Sequence, residues 1–290
     1  MSKIGASELI INGDGSVFHL HIRPENLADK VILVGDPGRV ELVGSFFSSK
    51  ESSTSSREFR SITGIYKGTR MTVLSTGIGC DNIDIVMNEL DALANIDFGT
   101  REVRPQHRRL TVLRIGTCGV IRPEIRLGSY VFSEVSAGFD GLLNWYGGRD
   151  NVALKDVEEA FLSRVKWNGY LPTPYFVRAA DSLKKLFEGH AVMGMTVSAP
   201  GFYGPQWRQV RLPLEQPDML AQLRDFEYNG LRFTNIEMEG SAIAGLAGLL
   251  GHDAATVCLG IAHRYAKDAK ADYKSLMGPL VELCLNLLAK

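Results

Sequence analysis

Arg114 is the residue with the most chemistry to explain. It stands in Leu110-Thr-Val-Leu-Arg-Ile-Gly-Thr-Cys-Gly119, which begins as a short apolar, β-branched run and then meets Gly116 and Gly119. A guanidinium cannot shed its charge, so one at the end of a buried strand needs an anion, a carboxylate or water. Two glycines there predict a tight turn with exposed backbone N–H groups, and Thr117 adds a hydroxyl. Such a turn could cradle an anion. It could equally hold Arg114 in an internal ion pair, and the segment alone does not choose between the two.

Other segments carry comparable groups. Gly35-Asp-Pro-Gly-Arg39 would set backbone N–H groups and a cation at a helix start, where anions are stabilised, although a plain capped helix start explains it as well. Ile236-Glu-Met-Glu239 places two carboxylates around Met238, able to accept from hydroxyls or to favour a helix N-terminus. Phe202-Tyr-Gly-Pro-Gln-Trp-Arg208 offers an aromatic face, an amide and a guanidinium fork, which suit the face and edge of a heterocycle or a surface loop. Arg57 is a loop cation. His19 and His263 are isolated histidines, and Cys118 reads as a packed small residue with nothing to activate it.

These groups need positioning elements. Val17–Ile22 alternates as a strand does, and Val31–Val34 reads as a buried strand leading into a helix capped by Asp36 and opened by Pro37. Lys50–Arg60 is a polar loop or edge segment, and Tyr66–Thr76 a hairpin turning near Lys67-Gly68-Thr69. A second glycine turn, Gly77–Gly79, precedes a helix over Asp81–Asn95 capped by Asp81 or Asn82, with Ile83, Val86, Met87, Leu90 and Leu93 on one face. Strands are expected over Gly128–Val135, Ala191–Ala199, Asn235–Met238 and Ala254–Ala262. Helices are expected over Leu154–Val165, within Pro172–Glu188, and over Pro217–Tyr228, Gly240–Leu250 and Ala271–Ala289. This alternation predicts one α/β domain over residues 1–290, with a mixed, largely parallel central sheet flanked by helices. Ligands of such sheets bind outside the carboxyl ends of the strands, where the loaded turns fall.

Composition excludes several alternatives. Thirty-two Lys and Arg against 33 Asp and Glu leave a net charge of −1, so no bulk attraction to nucleic acid or an anionic membrane exists. The four cysteines form no CxxC pair, so neither zinc nor a disulfide framework is indicated. Met1–Leu20 has no continuous apolar signal core, and no apolar run reaches the roughly 18–20 residues of a membrane span, so a cytoplasmic protein is expected. GxGxxG, GxxxxGK[ST] and Gly-x-Ser-x-Gly are all missing.

Taken in order, Val17-Phe-His-Leu20, Gly35–Arg39, Ser56-Arg-Glu-Phe59, Ser75-Thr-Gly-Ile-Gly79, Arg114-Ile-Gly-Thr117, Phe202-Tyr with Gln206 and Arg208, Glu237-Met-Glu239 and His263-Arg264 resemble the nucleoside phosphorylase family, in its uridine phosphorylase branch. The resemblance covers most of the chain and implies reversible cleavage of a nucleoside by phosphate to base and pentose 1-phosphate. It implies phosphate ligands at Gly35, Arg39, Arg114 and Thr117, with Arg57 arriving from a neighbouring subunit. His19, also from the neighbour, would bond the 5′-hydroxyl. Thr117, Met238 and Glu239 would hold the sugar. Phe202 would stack on the base, Gln206 and Arg208 would read its edge, and Arg264 would support that subsite. Arg114, Gln206, Arg208 and Glu239 would be the catalytic set. Inorganic phosphate would be a co-substrate, with no cofactor required. The assembly implied is a homodimer, or a homohexamer of dimers, with shared sites.

Three positions depart from the family pattern. Gly240 stands where a hydroxyl residue commonly follows the acidic pair, His263 where Asn is usual, and Gly204-Pro-Gln206 replaces x-Gly-Gln. Ala262-His263-Arg264 occupies the region where the purine branch places a Ser-Asp pair, which favours a pyrimidine. Some relatives bind a monovalent cation at the dimer contact near the Glu58 position. Asn82 stands where a liganding Ser is expected, so that cation is not firmly implied.

Overall fold

Lys30–Val34 (β1) is wholly apolar after its first residue and is buried on both sides, as a central parallel strand must be. The computed structural model describes residues 3–269 and 272–290. After β1 comes helix α1 (Pro37–Gly44), whose cap Asp36 accepts a hydrogen bond from Gly38 N at 2.8 Å, with Pro37 in the first turn. A meander follows: β2 (Ser49–Ser56), β3 (Phe59–Tyr66) and β4 (Thr69–Ser75). The β3–β4 turn takes positive φ at Lys67 and Gly68, the geometry that matches the twist of a two-residue hairpin. The Ser-rich segment is β2, at one edge of the sheet.

Next come α2 (Cys80–Asn95), a separate small hairpin of β5 (Ile96–Asp97) and β6 (Glu102–Val103), and β7 (Thr111–Val120). The second half of the chain contributes β8 (Tyr130–Gly138), α3 (Lys155–Arg164), β9 (Tyr175–Arg178), α4 (Asp181–Phe187) and β10 (Val192–Ser198). It closes with α5 (Met219–Asp225), β11 (Glu227–Tyr228), β12 (Leu231–Glu237), α6 (Gly240–Leu250), β13 (Asp253–His263), β14 (Asp268–Ala269) and α7 (Lys274–Leu288). The predicted start of the last helix, Ala271, lies outside the described residues.

A mixed 12-stranded sheet runs in the order β11-β12-β10-β8-β13-β7-β1-β4-β3-β2, with β9 on β8 and β14 on β13. β12 also pairs antiparallel with β7, at Asn235–Val120 and Ile236–Gly119. That extra pairing closes β7, β13, β8, β10 and β12 into a ring and leaves β1, β4, β3 and β2 as an open wing, with β11 paired to β12 alone. Because β12 runs back along β7, its end brings Glu237 and Glu239 level with Arg114. One apolar cluster packs α2 and α6 on one face, and another packs α1, α4 and α7 on the other.

Several sequence expectations need correction. β7 does not end in a turn at Gly116; it continues to Val120, pairing Gly116 with Cys258 and Cys118 with Gly260 on β13. Its glycines answer a need for space. A Cβ at Gly116 would strike the Arg114 guanidinium, and one at Gly119 would lie 2.7 Å from Arg264 Cδ. Val17–Ile22 is a turn with His21 at φ 52°, because the His19 and Leu20 N–H groups donate to the Glu89 carboxylate rather than to a strand. The cap of α2 is Gly79, at φ 100°, with Asp81 and Asn82 inside the helix. β9 was missed within Pro172–Glu188, since four residues are too few to show a period.

Candidate active site

The ends of β1, β4, β7 and β12 and the segment after β10 surround a cavity of about 980 Å3. Nine of the residues expected in a site line it: Gly35, Arg39, Arg114, Thr117, Phe202, Gln206, Arg208, Met238 and Glu239. Arg57, His19 and Arg264 are not on its wall.

Within β7, Arg114 is 5% exposed and is held between two carboxylates. Nη1 lies 3.0 Å from Glu237 Oε2, and Nη2 pairs with Glu239 Oε2. Nη1 also donates to Cys258 Sγ at 3.5 Å. Nη1 is thus engaged inside the chain by Cys258 and by the Glu237 charge, while Nη2 keeps a hydrogen to offer and the buried Nε has no partner among the described residues. Arg39 sits alongside, its Nη1 donating to Ile115 O at 3.1 Å. Burial first, and then the charge of Arg114, hold the Arg39 guanidinium below its ordinary pKa. Two cations this close favour an anion between or above them.

The buried ion pair is asymmetric. Burial works against the charge on Arg114, but Glu239 and Glu237 together outweigh it and raise its pKa. Glu239 shares that single guanidinium with a second carboxylate. Burial therefore wins, and the Glu239 carboxyl lies above its ordinary value, with Glu237 adding to the rise and Arg114 opposing it. Glu239 Oε1 accepts from Gly79 N at 2.8 Å, so the glycine turn after β4 fixes this carboxylate.

At the other end, Phe202 is half exposed, and the Arg208 guanidinium lies 4.1 Å from its ring centroid. Arg208 Nε donates to Phe202 O at 3.1 Å, and burial lowers the Arg208 pKa. Gln206 is 2% exposed, yet among the described residues its side-chain amide has no hydrogen-bond partner. Arg264, behind the wall, donates to Gln206 O at 2.8 Å, and Gly119 leaves the room for it. His263 is turned elsewhere, bonded to Arg122 O and Ala266 N, each at 3.1 Å. Cys118 lines the cavity, but burial pushes its thiol well up, which removes it as a nucleophile.

The residues off the wall have definite places. Arg57 is exposed at the tip of the β2–β3 hairpin with φ 54°, making no hydrogen bond among the described residues. His19 Nδ1 is 2.6 Å from Glu89 Oε1. Sequence reasoning left Glu237 out of the site residues. The i, i+2 spacing of Glu237 and Glu239 was the available signal, since a chain leaving a strand can turn both toward one cation. Nothing in the sequence marks Cys258, Ala269 or Tyr273, which reach the site only through pairing of distant strands and the packing of α7.

Residues 29–278 match the phosphorylase superfamily. The chain belongs to that superfamily. It is 29% identical over 268 residues to a uridine phosphorylase of Thermococcus kodakarensis, covering 92% of this chain and 85% of the relative. It is 28% identical over 250 residues to a DeoD-type purine nucleoside phosphorylase of a Geobacillus species, covering 82% and 83%. Among solved structures, a Trypanosoma brucei nucleoside phosphorylase that shows uridine phosphorylase activity superposes with a TM-score of 0.89 at 29% identity, over 97% of this chain and 99% of that one. These relatives are nucleoside phosphorylases named for either base class, at near-equal identity to this chain. No helix among the described residues is long and apolar enough to cross a membrane.

Proposed function

We propose that this protein cleaves uridine with phosphate to give uracil and ribose 1-phosphate. The observation that carries this reading is that one cavity gathers Gly35, Arg39, Arg114 and Thr117 for phosphate, Met238 and Glu239 for the sugar, and Gln206 and Arg208 beside Phe202 for the base. A phosphate oxygen attacks C1′ as the C1′–N1 bond breaks and its electron pair passes to the base. Positive charge develops on the sugar beside the phosphate, and negative charge on the base, where Gln206 and Arg208 donate. Glu239 holds the sugar hydroxyls, and alignment of the partners supplies much of the remaining acceleration. The pyrimidine preference is supported by His263, which offers no acid to the cavity where a purine would need one.

The cavity wall also supports a shared site. Three arginines (Arg39, Arg114 and Arg208) face four carboxylates (Asp36, Glu58, Glu237 and Glu239), so a lone chain offers a phosphate dianion no net positive charge. A further cation is required, and Arg57 of a second copy would supply it, with that copy's His19, oriented by Glu89, reaching the 5′-hydroxyl. A homodimer, alone or within a hexamer, meets this need.

The test is base release from uridine, thymidine, deoxyuridine, inosine and guanosine, each with and without phosphate. Phosphate-dependent release of uracil is expected. Equal release in phosphate-free buffer would make the protein a hydrolase and overturn the reading, and release of purines alone would overturn the base assignment.

A further inference from the structure

We infer that Ser198 is a positioning residue for the Arg114 guanidinium, acting through Glu237; this rests on Arg114 serving phosphate as proposed above. Ser198 is the last residue of β10 and is fully buried. Its Oγ accepts from Ser241 N at 2.9 Å, which leaves its own proton for Glu237 Oε1, 2.5 Å away. The two carboxylates of the acidic pair differ sharply in what is left to them. Glu237 takes the Ser198 hydroxyl and Gly240 N on Oε1, then Glu239 N and Gly240 N on Oε2, which also forms the 3.0 Å ion pair with Arg114 Nη1. At 3% exposure its lone pairs are spent inside the chain. Glu239 takes only Gly79 N on Oε1 and Arg114 Nη2 on Oε2, so it retains capacity for sugar hydroxyls.

Glu237 is thus the anchor of the guanidinium, and Glu239 the group that meets substrate. The Ser198 hydroxyl is the one side-chain hydroxyl on Glu237 Oε1 among the described residues. The Glu239 and Gly240 N–H groups pull the carboxylate toward the start of α6, while the hydroxyl fixes its rotation from the opposite strand. Loss of that bond lets the carboxylate turn, carrying Nη1 with it and tilting the Nη2 hydrogen left for phosphate. Charge-assisted hydrogen bonds of this length are directional enough for such a tilt to cost affinity.

The test is a double-mutant cycle on Ser198→Ala and Glu237→Gln, read as KM for phosphate, KM for nucleoside, kcat and Tm. Ser198→Ala is expected to raise the phosphate KM by about tenfold with a much smaller change in nucleoside KM, the size of one lost charge-assisted bond. In the Glu237→Gln background the same change should have little further effect, because the route is already broken. Ser198→Cys, which keeps the volume and weakens the donor, should behave as Ser198→Ala and serves if the alanine variant does not fold. A phosphate KM within twofold of the parent, with or without a lower Tm, would overturn the inference and leave Ser198 a packing residue. Multiplicative effects of the two substitutions would overturn it as well. Failure of the functional reading is distinguishable, because the parent enzyme itself would then show no phosphate dependence.

Discussion

At one end of the cavity Arg114, Glu237 and Glu239 are 3–5% exposed and stand on or just past two paired strands. Elsewhere on the wall Phe202 is 50% exposed, on a segment after β10 that contains only the short 3-10 turn Gly204–Gln206. The first end is tied by charge: each carboxylate shares the guanidinium, and backbone N–H groups from Gly79, Glu239 and Gly240 complete the set. The second end is tied by Arg208, stacked on the Phe202 ring and bonded to Phe202 O, by backbone bonds from Gln206 and Arg208 to Tyr203 O, and by one bond from Arg264 to Gln206 O. A buried ion cluster fixes geometry because any displacement strands a charge. A loop contact can change partner at little cost, which suits a subsite that distinguishes bases. Under the proposed function, the common chemistry would rest on the rigid end and the choice of substrate on the adaptable one.

That contrast can be broken by mutation. Arg114→Ala should have the largest effect, about a thousandfold loss in kcat/KM from the missing donor. It should also lower stability by about 3–5 kcal/mol, because two buried carboxylates lose their counter-charge. Denaturant melts and phosphate titrations read the two losses separately, and an intact Tm would mean the cluster is not holding the strand ends. Gln206→Ala should cost about a hundredfold in turnover and widen base choice at nearly unchanged Tm, since its amide bonds nothing else described in the chain. Wild-type uridine kinetics would remove it from base reading.

Arg57→Ala should raise the phosphate KM by roughly tenfold to fiftyfold without affecting stability, because the residue is exposed and unbonded. Mixing it with a separately inactivated subunit should restore part of the activity if sites are shared, and no restoration at any ratio would count against a shared site. The subtlest effect is on pH. Glu239 accepts most strongly from hydroxyls, and pairs with Arg114, when ionised, and its carboxyl is raised above the ordinary 4.5. The acid limb of kcat/KM should accordingly lie above that value, with activity falling as pH is lowered through it, and Glu239→Gln should abolish the limb. A limb at the ordinary glutamate position would show the cluster to be more solvated than its burial implies.

Much of this was legible before any coordinates. The α2 face of Ile83, Val86, Met87, Leu90 and Leu93, the Asp36 cap and the Lys67–Gly68 turn follow from local rules, and all three stand. The errors share a cause. Gly116 and Gly119 read as a turn because glycine usually marks one, but here each makes room for an arginine, and Arg264 is distant in sequence. Val17–Ile22 alternated for a reason unrelated to pairing, since the carboxylate that takes its N–H groups belongs to α2.

By itself the sequence determined the kinds of group available and the strand ends that carry them, because residue chemistry and short-range periodicity are local properties. Whether Arg114 sits in an internal ion pair was open at that level; the fold makes the pair with Glu237 and Glu239 and still leaves the guanidinium on the cavity wall. The deciding contact is β12 folding back along β7, a pairing across more than a hundred residues that brings Glu237 and Glu239 onto the guanidinium. Local propensity carries no information about such a pairing. It is set by which strands close the ring, and with it are set the depth of burial and the carboxylate left for substrate.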